Sequence, residues 1–221
     1  MGVSTLVGQK EIIAPLLSLT DTGNKILVND AFSSLPHYLI DQICWRLPQF
    51  VPSVSFKIGY TPDALLIKFN VSETSHKAQY AHSNEPVFKD SCVEFFMATD
   101  ESGYYYNFEF NSLGTCLASY GSNRNDRVKL DKDVIATIDR WVTWNEYSPE
   151  KPLFNWELTV KFPPAAFCYH AMHHFTAGTY RVNLYKCGDE LPEPHFIAWN
   201  PILSPVQDFH QLGYFGLLKL Q

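Results

Sequence analysis

The chain predicts an all-β fold, a β-sandwich of two antiparallel sheets with one or two short helices. Two features carry that expectation. Large apolar side chains alternate with polar ones in many short runs, the period of a strand with one buried face. The 14 prolines and 11 glycines punctuate those runs, as turns between many short strands require. Roughly ten to twelve such runs can be counted, enough for two packed sheets. With 46% hydrophobic and 15% aromatic residues, the 221-residue chain can fill a sizeable core. No stretch reads as a linker, so residues 1–221 are expected to form a single domain.

Residues 1–50 carry Leu and Ile clusters broken by Pro15, Pro36 and Pro48, and are read as an edge strand, a wrapping segment and a helical turn around His37 to Trp45. Strands follow at Val54 to Tyr60 and Ala64 to Val71, joined by Thr61-Pro62-Asp63 as a tight turn. Ser72 to Lys89 is a long polar loop, and loops of that length are usually functional because ordering them costs entropy with little core in return. Asp90–Met97 and Tyr104–Asn111 form a hairpin whose loop carries Gly103. Val93, Phe95 and Met97 share its greasy face with Tyr104, Tyr106, Phe108 and Phe110, while Glu94, Glu109, Asn107 and Asn111 share the opposite face. A further strand is expected from Gly114 through Tyr120, then a polar loop at Ser122–Asp126 and one or two strands over Val134 to Trp144. Phe154, Trp156, Leu158, Val160 and Phe162 alternate strictly with polar residues until Pro163 and Pro164 stop the strand. Ala165 to His174 is read as a short helix or connection. Thr179 to Cys187, His195 to Trp199 and Gly213 to Leu220 close the fold.

The net charge of -6, with 17 basic residues scattered along the chain, speaks against a nucleic-acid partner, because phosphate binding needs a concentrated basic surface. No apolar run reaches the length needed to span a bilayer, so no membrane insertion is expected. Gln9, Lys10 and Glu11 stand where a secretory signal would be apolar. If Met1 is the natural start, the cytoplasm is expected; if a signal was removed, the periplasm or cell surface. The five cysteines are dispersed without a C-x-x-C pair, which suits buried small hydrophobes better than a disulfide framework or a zinc site.

Glu94 and Glu109 could form a glycosidase pair, since such enzymes use two carboxyls about 5 to 10 Å apart. The spacing of His170, His173 and His174 lacks the pattern of a metal site, and reads as surface or half-buried histidines. Ser122–Asp126 and Asp131-Lys-Asp133 are rich enough in oxygen to hold calcium, although neither has the spacing of a helix-loop-helix calcium loop. Phe88 and Phe209 are large apolar groups in polar loops. Sugar rings present apolar C–H faces to aromatic rings and hydroxyls to amides and carboxylates, so loop aromatics beside a polar sheet face suit a sugar.

The run Asp90-Ser-Cys-Val-Glu-Phe-Phe-Met97, then Tyr104-Tyr-Tyr-Asn-Phe-Glu-Phe-Asn111 with Gly114, resembles the family 9 carbohydrate-binding module. So do Asn155–Pro163, Arg181–Lys186, His195–Pro201 and the closing Tyr214–Leu220, in the same order. The resemblance implies a sandwich related to the DOMON group, non-catalytic, often attached to xylanases or other glycoside hydrolases, with calcium in a structural role. In sugar-binding members two tryptophans sandwich a terminal sugar; the matching positions here are Phe88, before Glu94, and Phe209, before Phe215. Glu94 matches the motif carboxylate, Glu109 replaces a basic residue, and Asn111 and Asn183 fit positions on the polar face. Lys186-Cys-Gly-Asp189 followed by Pro194-His-Phe196 is similar to stand-alone modules of gut Bacteroidetes.

The expectation is therefore a carbohydrate binder without a catalytic role or cofactor, with an oligosaccharide or polysaccharide as partner in polysaccharide utilisation. Phe88 and Phe209 would grip the sugar, with Glu94, Glu109, Asn111, Arg181 and Asn183 hydrogen-bonding to it. The alternatives are a glycoside hydrolase using Glu94 and Glu109, and a DOMON-like binder of haem or another small ligand, with Met97 and a histidine as axial pair.

Overall fold

A computed structural model describes residues 8–145 and 153–221; the first residues of the N-terminal segment, Ser4 among them, lie outside the described residues. In chain order the elements are β1 (Glu11–Ala14), α1 (Lys25–Ser33), β2 (Tyr38–Leu39), β3 (Gln42–Ile43), β4 (Ser53–Thr61), β5 (Ala64–Glu73), β6 (Cys92–Ala98), β7 (Tyr105–Asn111), β8 (Cys116–Gly121), β9 (Val128–Lys129), α2 (Lys132–Ala136), β10 (Asp139–Trp144), β11 (Phe154–Phe162), β12 (Gly178–Cys187), β13 (Phe196–Ala198) and β14 (Gly216–Leu220). They build the expected sandwich. The larger sheet runs β1-β14-β12-β6-β7-β8-β9, with β13 and β3 extending from the far end of β12, and the smaller runs β10-β11-β5-β4-β2. The ladders among the described residues are antiparallel except that of β1, an edge strand lying parallel to β14.

The alternation read from the sequence is the alternation of the core. Leu65, Ile67, Phe69 and Val71 of β5 and Trp156, Leu158, Val160 and Phe162 of β11 meet Val93, Phe95 and Met97 of β6 and Tyr106, Phe108 and Phe110 of β7. Phe162 interlocks with Phe95 and Phe108, ring centres 5.5 and 4.9 Å away. At one end of this apolar layer sits a charged closure. Lys186 Nζ lies 2.9 Å from Glu73 Oε2, both side chains fully buried, while Trp156 Nε1 donates to Glu73 Oε1 at 2.8 Å and Lys186 Nζ meets His195 Nε2 at 2.9 Å. A buried ion pair survives only where such neighbours replace water.

Three local expectations are corrected. The helical turn is not at His37 to Trp45, which instead forms β2 and β3, but at Lys25–Ser33. There Asn24 Oδ1 accepts from Ile26 N and Leu27 N as an N-cap, and Val28 and Phe32, one turn apart, bury against Ala64 and Leu66 on the outer face of the smaller sheet. The span Val134 to Trp144 opens with α2 before β10, because Ile135 turns into the core at helical spacing. Gly114 lies in a turn ahead of β8, at φ +79°, where its missing Cβ permits the left-handed backbone; Asn111 Oδ1 holds that turn by accepting from Leu113 N and Thr115 N. Ala165 to His174 proves to be a connection opened by a single 3₁₀ turn, Pro164–Ala166.

Candidate functional site

The outer face of the larger sheet is where the polar residues of the hairpin point, and the register lays them out in rungs. Cys187, Cys92 and Asn111 form one rung; Tyr185, Glu94 and Glu109 the next; then Asn183, Phe96 and Asn107; then Arg181, Ala98 and Tyr105 at positions close to one another. Every residue of β6 and β7 is buried on both faces. The loops on either side fold over this surface.

That cover is continuous at both ends and opens over one rung. At the first, Asn111 Nδ2 donates to Tyr80 O and to Asp90 Oδ2, tying the 74–91 loop down. Beyond the open rung, Asn183 Nδ2 donates to Asn200 O and Tyr214 O, Arg181 donates to Leu212 O, and Tyr105 Oη meets His210 Nδ1 at 3.1 Å. Between these anchors a cavity of about 130 Å³ reaches down to Glu94 and Glu109, about 590 Å³ when its open mouth is included. Trp45, Phe88, Phe196 and Phe209 bring aromatic rings to its lining, and Arg124, Arg127, Asp189, Asp208 and His210 bring charged and polar groups.

The aromatic wall is rigid. Phe209 lies flat on Tyr185, centres 4.1 Å apart, and Trp45 tilts against Phe209 at 5.5 Å. Trp45 Nε1 donates to Ser204 O at 2.8 Å. Its backbone sits at φ 59°, a left-handed conformation that costs a bulky residue about 1–3 kcal/mol and that the surrounding packing must impose.

The polar wall holds a strained set of charges. Burial, and then the charge of Glu109, push the Glu94 carboxyl well above the ordinary range. Burial lifts Glu109 to about 7 against the pull of Arg127, whose guanidinium lies 3.4 Å away. Glu109 Oε2 is buried without a hydrogen-bond partner. Burial also lifts Asp189 to about 6 and drives His210 well below its ordinary value, leaving the ring neutral. The floor thus offers the Glu94 carboxyl, a Glu109 oxygen without a hydrogen-bond partner and the Arg127 guanidinium.

The profile of carbohydrate-binding family 9 matches residues 25–220. The chain belongs to carbohydrate-binding family 9. Among solved structures it is similar to a protein from Bacteroides uniformis provisionally described as carbohydrate-binding, with 29% identity, a TM-score of 0.88, and coverage of 96% of this chain and 100% of that one. A family 9 module from Caldicellulosiruptor kristjanssonii in complex with glucose shares the fold at a TM-score of 0.60 and 11% identity, covering 96% of each chain. The same source's module in complex with cellotriose gives 0.59 and 11%, covering 96% of this chain and 94% of that one. No curated protein matches the chain.

Of the residues singled out from the family 9 motifs, the structure brings Phe88, Glu94, Glu109 and Phe209 to the cavity. Asn111, Arg181 and Asn183 do not line it, because each is spent on the loop backbone it holds down. Met97 is buried in the inter-sheet core, on the opposite face from the cavity, so it is not placed to ligate a haem. His170 bonds Tyr106 Oη and Thr99 Oγ1, and His174 meets Asp63, so neither joins a metal cluster. The Asp126 carboxylate accepts from Ser122 N, Ser122 Oγ and Asn123 N, folding the Ser122–Asp126 loop on itself. Trp45, Arg127, Asp189 and His210 were missed from the sequence. Trp45 sits in the segment read as helical, and the other three carry no alternating pattern that would aim them at the hairpin. For none of the described helices is a membrane crossing possible by length and apolarity.

Proposed function

We propose that this chain binds carbohydrate without catalysing a reaction on it, and that the cavity above Glu94 and Glu109 receives a sugar ring at the end of a glycan. The observation that carries this reading is the opening of the covered polar sheet face above Glu94 and Glu109, with aromatic rings and hydrogen-bonding groups together in its lining. C–H faces of the sugar would pack on Phe88 and on the rigid Trp45–Phe209 wall. Its hydroxyls would pair with the carboxyls of Glu94 and Glu109 and with Arg127, groups already desolvated and held in place. A second cleft of about 370 Å³ shares Phe88, Arg124 and Arg127 with the cavity and runs past Pro86 and Lys129, offering a path for the next residues of the chain. Family membership supports the class of ligand, and binding of glycan ends fits a role in polysaccharide utilisation beside a degrading enzyme.

Calorimetric titration with a panel of mono- and oligosaccharides tests the reading. Binding in the millimolar range or tighter is expected for at least one glycan, weakened roughly tenfold by Phe88→Ala, which removes a half-buried wall without opening the core. No binding across the panel at millimolar concentration, or unchanged affinity in Phe88→Ala, would remove it. The raised carboxyl of Glu94 beside Glu109 also resembles the acid of a glycosidase pair; reducing-sugar release that Glu94→Gln abolishes would replace binding alone with hydrolysis.

A further inference from the structure

At the edge of the cavity floor, Cys187 stands directly across the β6–β12 ladder from Cys92, and Glu94 follows Cys92 by two residues on the same face. The two sulfurs and a Glu94 carboxylate oxygen all lie within 4.8 Å of one another, the one such convergence of three metal-ligating groups among the described residues. Cys187 Sγ is 2.9 Å from Glu94 Oε1. In a tetrahedral zinc site, with bonds of about 2.3 Å to sulfur and 2.0 Å to oxygen, neighbouring ligand atoms stand roughly 3.5–3.8 Å apart, so small side-chain shifts suffice here.

Burial and access fit such a site. Cys92, Glu94 and Cys187 are 0%, 3% and 1% exposed, on strands in the middle of the sheet that fix their directions. Cys92 lies behind, while Cys187 and Glu94 line the cavity, so an ion held by all three has an open side toward solvent. Glu109, directly across from Glu94 on β7, also lines the cavity and has a buried carboxylate oxygen without a hydrogen-bond partner.

We propose that Cys92, Cys187 and Glu94 bind zinc or a similarly thiophilic divalent cation, with the fourth position open to the cavity and a water there donating to Glu109. Binding exchanges protons for the ion: each thiol releases one to solvent, as does the Glu94 carboxyl where it holds one, and no redox step is involved. Two thiolates and a carboxylate select zinc over magnesium or calcium, which prefer oxygen alone. The site stands whether or not a sugar enters the cavity.

The test is titration of the reduced, metal-stripped full chain with Co²⁺, followed by Zn²⁺. One Co²⁺ per chain is expected, with a sulfur-to-cobalt charge-transfer band in the near ultraviolet that Zn²⁺ abolishes. Cys92→Ser and Cys187→Ser should each weaken binding at least about 100-fold, the upper end of what losing a mere supporting group costs, while Cys168→Ser, at an exposed thiol away from the site, should leave it unchanged. Should the serine variants fold poorly, alkylation mapping of the unaltered chain decides: Zn²⁺ should slow labelling of Cys187 and not of Cys168. Absence of the band with excess Co²⁺, a band that survives in the Cys92→Ser/Cys187→Ser double variant, or equal labelling of Cys187 with and without Zn²⁺ would overturn the proposal. Failure of sugar binding would leave it intact.

Discussion

At the scale of single residues, Glu94 is the position where fold and site make opposite demands. Its place on β6 puts it on a rung shared with Glu109, and the loops remove the water that would let both ionise. The folded chain therefore holds a proton on this pair where the unfolded chain does not, because burial raises Glu94 well above its ordinary value and Glu109 to about 7. For groups whose pKa is raised by folding, the stabilisation is complete below the unfolded value and is lost as pH rises through the folded one. Stability from this pair should thus decline from about pH 5 through pH 7 and beyond. Glu94→Gln keeps an acceptor for Cys187 and cannot ionise, so its melting temperature should fall less than the parent's between pH 5 and pH 8, by a few degrees. Parallel melting curves for the two proteins across that range would show that the carboxyl titrates as if exposed. The motif carboxylate was legible in the sequence as part of a hairpin; its raised pKa was not, because the cover that desolvates it comes from loops remote in the chain.

Among the elements, α1 shows what pattern reading can and cannot see. Its signals are present, with Asn24 ahead of the first turn and Val28 and Phe32 spaced for one face, but the Pro-broken leucine clusters around it obscure them. Asn24→Ala should cost about 1 kcal/mol by orphaning two backbone N–H groups, measurable in denaturant unfolding as a lower midpoint with unchanged slope. The strands of the core were readable because period-two alternation survives in isolation, whereas β2 and β3 are too short to carry it and exist only as partners of other strands. At β14 the constraint is steric. A Cβ on Gly216 would meet the Trp199 ring at 2.4 Å and Lys10 O at 2.7 Å. Gly216→Ala should accordingly destabilise by about 1–3 kcal/mol through overpacking; a neutral effect in the same unfolding assay would mean that Trp199 moves aside freely.

For the whole molecule, the polar half of the sandwich is organised to be closed, and the cavity is the exception. Asn111, Asn183 and Arg181 were readable as polar residues of one sheet face, yet sequence alone gives no means of telling a side chain that meets ligand from one that anchors a loop, since both are polar and inward. The same ambiguity surrounds Lys186 and Glu73, which alternate in phase with core residues and so end up between the sheets, joining β12 of one to β5 of the other. Lys186 also donates to Cys187 O and meets His195, whose pKa falls to about 3 through burial and then the lysine's charge. Removing one charge leaves the other stranded in the core. Lys186→Met should therefore destabilise by about 3–5 kcal/mol, while Lys186→Met combined with Glu73→Gln, which leaves no buried charge and retains an acceptor for Trp156, should recover much of that loss. A double-mutant cycle on unfolding free energies measures the coupling directly. If the double variant is as unstable as the single one, the two sheets are held at this end by packing of the lysine stem and not by the pairing of its charge.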